Sequence, residues 1–270
     1  MILASDIPLT WWLGLPTAVA YALTGLIGPR VAPDMGHRLL SLPWALHGLG
    51  LVYALFGPQD DGMRFGFAPA LSVTAWLMLT FYVVEQHWFP QLRTRWTLAG
   101  LGAVVVLLAA AFPGAKLHIE TSPWLPLHLA LGVASYGLFA AAVVHAWLMT
   151  RAERQMRLAA ETQVGLPLLT LERLTFRFVG AGFALLTATL AAGWLFGDSL
   201  YGPQAAWRWD HKTVFSLLSW ITFALLLLGR SRFGWRGRKA VRVLYIGAAL
   251  LLLGYAGSRF VLEVILGRVT

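Results

Sequence analysis

Long apolar runs, broken by short polar or Pro/Gly-bearing stretches, recur from one end of the chain to the other. A helix that crosses a bilayer needs roughly 20 mostly apolar residues. Eight segments approach or exceed that length, at about 7–27, 38–56, 68–86, 96–112, 123–149, 174–196, 211–229 and 241–266. The breaks between them carry helix-stopping chemistry, as in Gly28-Pro29, Gly57-Pro58, Phe89-Pro90, Pro113-Gly114 and Gly197-Asp198. The pattern predicts an all-α integral membrane protein, a bundle of about eight transmembrane helices. With no soluble domain, low-complexity tract or short repeat in view, residues 1–270 read as a single polytopic membrane domain.

Composition sharpens this picture. Only 12% of residues are charged against 58% hydrophobic, and the mean hydropathy is +0.68, whereas soluble domains carry about 25% charge. Most of the 13 tryptophans flank apolar runs, where an amphipathic ring suits the headgroup region. The net charge of +9 comes mainly from clustered arginines. Since no basic stretch lies in a soluble domain, cytoplasmic loops and anionic lipid account for it, and nucleic acid is not an expected partner. Cysteine is absent, which excludes disulfides, thiolate ligands and thiol redox chemistry. Any metal centre must use His, Met, Tyr or carboxylate. The first Lys or Arg is Arg30, after the first apolar segment, so that segment reads as a retained helix rather than a cleaved signal peptide.

Charge asymmetry sets the expected orientation. The first, third, fifth and seventh connections hold 15 Lys and Arg, among them Arg151, Arg154, Arg157, Arg230, Arg232, Arg236 and Arg238. The other connections hold Arg64, Lys116, Arg208 and Lys212. By the positive-inside rule the arginine-rich connections are cytoplasmic, which places both termini on the extracytoplasmic side. His118, His128 and His211 then fall on or near the outer face, and His37, His87 and His145 lie toward the cytoplasm.

His47 falls about nine residues into its segment, near mid-membrane. An ionisable group at that depth is costly unless used, and two uses stay open: a helix-packing hydrogen bond, or a relay ligand for a cofactor crossing the membrane. Arg259 and Glu263, four apart, are spaced as an ion pair. Glu85 is expected at the interface. Gly132, Gly137, Gly180 and Gly182 are small enough to let helices approach.

The densest chemistry is Trp207-Arg208-Trp209-Asp210-His211-Lys212. Asp210 is placed to cap the seventh helix, and the two tryptophans suit a belt. Alternatively the run grips a flat, acidic, metal-bearing ligand together with His128, which follows Thr121-Ser122-Pro123-Trp124 at the start of the fifth helix. Ser122 and Pro123 suit the cap and first turn there. Two imidazoles from different helices can clasp one iron from opposite faces. The tryptophans would cover a porphyrin, and Arg208 with Lys212 would pair its propionates.

From about residue 123 to 266 the chain resembles the cytochrome c assembly (CcsA-type, haem-handling) membrane family, and within it the YpjD and HemX-like branch. The resemblance rests on His128 with Tyr136 eight residues on, Leu171-Glu172-Arg173-Leu174-Thr175-Phe176-Arg177 leading into Gly180-Ala181-Gly182-Phe183, the Trp207–Lys212 run, Gly234-Trp235-Arg236-Gly237-Arg238-Lys239, and Tyr255-Ala256-Gly257. Residues 1–122 match in general character alone. The resemblance implies haem held at the outer face by a tryptophan-rich, Asp-ended segment flanked by external histidines, in the inner membrane of a bacterium. Carried onto this chain it gives His128 as one external ligand and Trp207, Trp209 and Asp210 as the haem-facing segment.

The chain departs from the family pattern in several places. Leu228 and Leu266 stand where the full synthases have histidines, His211 stands where they usually have Pro, and Tyr201–Ala206 is a shortened approach to the tryptophans. The expectation is therefore that His128 and His211 form the axial pair, with His47 as a possible inner relay, and that ligation of haem to apocytochrome is not this chain's own work. The expected partners are haem, the bilayer and other proteins of cytochrome c assembly or haem biosynthesis. Two further readings are a non-haem scaffold or regulator of haem biosynthesis acting through the arginine-rich inner loops, and a small-molecule transporter. For the last the helices lack a mid-membrane cluster of paired charges.

Overall fold

A computed structural model describes residues 9–30, 33–56, 64–88, 96–116, 124–158, 167–197 and 209–267. Each expected segment is a helix: α1 Leu9–Ile27, α2 Pro33–Phe56, α3 Phe67–Trp88, α4 Trp96–Ala111, α5 Leu125–Arg157, α6 Leu168–Leu195, α7 His211–Phe233 and α8 Gly237–Leu252. Beyond Leu252 the last helix continues through two π-wound turns, Leu253–Gly257 and Val261–Ile265. Among the described residues seven helices are long and apolar enough to cross a membrane, while α4 has 16 residues and falls short of that length. The expectation for 96–112 is corrected to that extent.

The other boundary shifts have a physical reason. Hydropathy drops where arginines begin, but helix propensity does not, so α5 runs past 149 to Arg157 and α6 begins at Leu168 rather than at 174. Arg157 pairs with Glu153 one turn earlier at 3.2 Å, the spacing that supports an exposed helix end.

The chain forms two compact units, divided between Leu117 and His118. That division lies close to the 122/123 boundary drawn from the motifs. In the N-terminal unit α1 packs on α2 and α4, and α3 packs on the same two helices, which closes a ring of four. A short antiparallel strand pair, Arg64–Phe65 with Ala115–Lys116, ties two connections together at one end. In the C-terminal unit α5, α6, α7 and α8 form a second ring by the same logic. Many leucines, valines and tryptophans point outward from these helices, among them Leu49, Val52, Trp88, Trp194 and Leu225, as lipid-facing side chains do.

What holds each ring is close contact between a glycine and an aromatic ring. A β-carbon at Gly102 would stand 2.8 Å from the Tyr21 ring, and one at Gly48 would stand 2.9 Å from Trp76. In the C-terminal unit the rings of Phe139 and Phe223 stack at 3.8 Å between centroids. Gly182 backs Phe139 and Gly247 backs Phe223, with β-carbon distances of 3.2 and 2.7 Å. Of the four glycines expected at helix contacts, Gly182 fills that role and Gly132 meets Thr189 at 3.6 Å, whereas a side chain at Gly180 would meet open space.

The basic end of the C-terminal unit carries a partly buried ion pair. Glu172 on α6 accepts from Arg230 on α7, whose guanidinium also lies 4.5 Å from the centre of the Phe176 ring. Gly234, at φ 62°, ends α7 in the left-handed conformation suited to glycine. The Trp235 ring then folds back over Gly229, and Lys239 lies 4.0 Å above it. Gly247→Leu is expected to lower stability by about 1–3 kcal/mol through overpacking against Phe223. Gly180→Leu is expected to leave it unchanged. Thermal melting of the two variants in detergent checks both.

Candidate functional site

At the end of the C-terminal unit opposite its arginines, α7 begins on a well-made cap. The Asp210 carboxylate accepts from the backbone N–H of Thr213 at 2.8 Å, as expected of that residue. Trp209 is 70% exposed beside it, His211 is exposed at the first helical position, and Trp207 and Arg208 lie outside the described residues. Lys212 turns toward the neighbouring helix, with its ammonium 5.7 Å from the centre of the Tyr255 ring.

His128 sits one turn into α5. That helix starts at Leu125 with Pro126 in its first turn and Trp124 as its capping residue, without a side-chain cap bond. Ser122 and Pro123, expected to supply the cap and first turn, lie outside the described residues, so the proline seen in the first turn is Pro126. The Trp124 ring stacks on Phe196 at the end of α6, 4.6 Å between centroids, which fixes the two helix ends side by side. His128 hydrogen bonds the backbone carbonyl of Thr189 and lies within the electrostatic reach of Lys212. In a neutral imidazole one nitrogen donates while the other keeps a lone pair. The Thr189 bond therefore selects which nitrogen is basic.

The position of His128 follows from the register of α5 against α6. Gly193 faces His128, with its β-carbon position 3.4 Å from the imidazole; Gly132 faces Thr189; Phe139 faces Gly182. Each step forward along α5 is matched by an equal step back along α6, with spacings of four and seven that keep one helix face in play. Thr189 and Gly193 were not among the expected site residues. Their signal is a pair of small residues four apart, facing His128 and Gly132, which are also four apart.

The π-wound end of α8 packs against α7. Tyr136 on α5 donates to the Leu251 carbonyl just before the first π turn, and Ser258 bonds back to the carbonyls of Gly254 and Tyr255 at 2.9 and 3.0 Å. Winding of this kind is frequent at functional sites, and here it presents Tyr255 to Lys212.

His47 belongs to the N-terminal unit and is 3% exposed. Its Nδ1 lies 3.3 Å from the Tyr21 hydroxyl and its Nε2 2.8 Å from Ser72 Oγ. Both nitrogens are engaged, so of its two readings the helix-packing hydrogen bond is the one this geometry meets. Glu85, near the end of α3, is 5% exposed and so buried within its unit. His145 is also buried; its Nδ1 donates to the Ala141 carbonyl at 2.8 Å, and its ring lies against Phe178. His118 and the side chains of His37 and His87 lie outside the described residues. Arg259 and Glu263 fall on the terminal windings of the last helix, and Leu228 and Leu266 are both half exposed. Among the described residues no group of three or more His, Asp or Glu forms a site for a bare metal ion.

Residues 38–266 match the cytochrome C assembly protein family. The match begins well before residue 123, where the recognisable motifs start. The chain is 38% identical over 214 residues to an uncharacterized 28.8 kDa protein in the nifR3-like 5′ region of Azospirillum brasilense, covering 75% of this chain and 77% of that protein. It is 32% identical over 227 residues to the inner membrane protein YpjD of Escherichia coli, covering 81% of this chain and 83% of the relative. A shorter match of 94 residues, 33% identical, links 35% of the chain to 27% of the cytochrome c biogenesis protein CcsA of Gloeobacter violaceus. No solved structure matches the chain.

The cap gives a variant that separates structure from ligand chemistry. Asp210→Ala is expected to cost about 1 kcal/mol of stability, and Asp210→Asn only a few tenths, because asparagine caps as well as aspartate. Thermal melting ranks the two, and equal losses would show that the carboxylate's charge, not its cap bond, is what α7 needs.

Proposed function

The chain belongs to the cytochrome c assembly protein family, and from that premise we propose that it is a haem-handling protein of the bacterial inner membrane. Haem is its cargo, held at the end of the C-terminal unit that carries His128 on α5, the Trp209–Lys212 segment at the head of α7, and Tyr255, whose ring centre lies 5.7 Å from the Lys212 ammonium. The observation that supports this most directly is the position of His128. It is a partly buried imidazole held by Thr189, given room by Gly193 and lying close to the cation of Lys212.

The donor set fits a haem. An imidazole suits the iron, an adjacent ammonium suits a propionate, and an exposed indole suits the porphyrin face. Haem would bring its iron and its flat acidic ring system. The protein's part is to fix the His128 ring, to supply the cation and to present Trp209. We assign His128 and His211 as the axial pair, and Trp207, Arg208 and Asp210 as further haem-facing residues. His47 is left out, since both its ring nitrogens are already bonded.

The basic end of the same unit supports a second reading. Arg151, Arg154, Arg173, Arg232, Arg236 and Arg242 are all exposed there, a surface suited to an acidic cytoplasmic protein. On that reading the chain regulates a haem-biosynthetic enzyme and His128 is silent.

Two experiments test these assignments. Detergent-purified protein supplied with haem is expected to give a six-coordinate, low-spin spectrum, and the His128→Ala, His211→Ala double variant is expected to lose it. A wild-type spectrum from the double variant would remove the axial assignment. For orientation, the absence of native cysteine makes a single introduced thiol the sole label. Gln204→Cys is expected to react with an impermeant maleimide from the extracytoplasmic side, and Arg238→Cys to react only after the membrane is opened.

A further inference from the structure

We propose that the N-terminal unit carries a second binding site, for an uncharged, carbonyl-bearing amphiphile, at a cavity where Ser72 presents a hydroxyl donor fixed by the Tyr21–His47–Ser72 hydrogen-bond chain. The cavity measures about 70 Å³ and is bounded by all four helices of that unit. This is several times the roughly 15 Å³ that one water needs. It lies toward the start of α1 and the end of α2, partly open past the exposed Leu13.

The chemistry of its walls narrows the ligand. Leu46, Leu51, Val106 and Ala109 are apolar, the polar contributions come from Thr17, His47, Tyr53 and Ser72, and among the described residues no charged side chain lines it. Thr17 is already satisfied by the Leu13 carbonyl at 2.7 Å. A lining of this kind suits an uncharged ligand.

The protons of the chain can run in two directions. In one, Tyr21 donates to Nδ1 of His47, Nε2–H donates to Ser72 Oγ, and the Ser72 proton is left to find an acceptor in the cavity. In the other, Ser72 donates to Nε2, Nδ1–H donates to Tyr21, and the Tyr21 proton is left over. Tyr21 is wholly buried and does not line the cavity, so the second arrangement strands a donor for which the described residues show no acceptor. An unsatisfied buried donor is costly, and the first arrangement avoids that cost by aiming the spare donor at the cavity. Among the described residues Ser72 makes no other hydrogen bond.

What is required is a neutral acceptor on an apolar body that reaches the site from the bilayer. A carbonyl oxygen meets this, either the ester of a diacyl lipid or the ring carbonyl of a quinone. The site is independent of the haem reading, because none of its residues is assigned to the haem.

Two variants separate the site from the fold. Ser72→Ala removes the donor. Gly50→Leu fills the space, since Gly50 lines the cavity and a β-carbon there meets nothing within 4 Å. The purified full-length protein would be titrated calorimetrically with ubiquinone-1, and native mass spectrometry would compare retention of diester and diether phosphatidylethanolamine. Supporting results are saturable quinone binding, or retention of the diester over the diether lipid, weakened about tenfold by Ser72→Ala and lost in Gly50→Leu at unchanged melting temperature. His128→Ala, which would test the haem reading, is expected to leave this binding intact. If neither probe binds, or if both variants bind as the wild type does, the cavity holds only water and the proposal falls.

Discussion

The C-terminal unit depends on one sandwich: two phenylalanine rings, Phe139 and Phe223, pressed together and closed on either side by Gly182 and Gly247. Each of its four helices contributes one layer. Lipid tails are as apolar as leucine, so burying greasy surface gives helices in a bilayer little reason to associate. Closeness of approach, and the dispersion it brings, has to do that work. A ring over a bare backbone maximises it, and the N-terminal unit uses the same device through Gly102 with Tyr21 and Gly48 with Trp76.

The placement of His128 is a by-product of this packing. Once Phe139 is seated against Gly182, the antiparallel register brings Gly132 to Thr189 and His128 to Gly193 without further adjustment. The same seam that stabilises the unit thus sets the orientation of the imidazole. On the other side, Glu172, Arg230 and Arg236 bind α6 to the α7–α8 turn. Polar contacts therefore mark both ends of the unit, while its middle is packed with rings and small residues.

Most of the helical layout was legible in the sequence, because 20-residue apolar runs leave few alternatives. The ends of α5 and α6 were not, since a hydropathy boundary marks where the bilayer stops and not where the helix does. Asp210 was legible as a cap from its position before an apolar run. The turn of Lys212 toward Tyr255 was not, because it depends on the π winding of α8, which leaves no mark in residue type. His47 shows the limit most clearly. Its depth announced that it must be used, but its partners Tyr21 and Ser72 lie on two other helices, and neither spacing nor composition could pair them. The small residues opposite His128 carried a signal that makes sense only once α5 and α6 are known to be neighbours.

The length of α5 carries one further consequence. At 33 residues and 1.5 Å per residue it measures about 50 Å, against roughly 30 Å of hydrocarbon. It is a rod much longer than the slab it pierces, with His128 near one tip and Arg151, Arg154 and Arg157 toward the other. The excess of about 20 Å has to be taken up by tilt or to stand clear of the hydrocarbon, which gives the last two turns of the helix a polar setting for its three arginines.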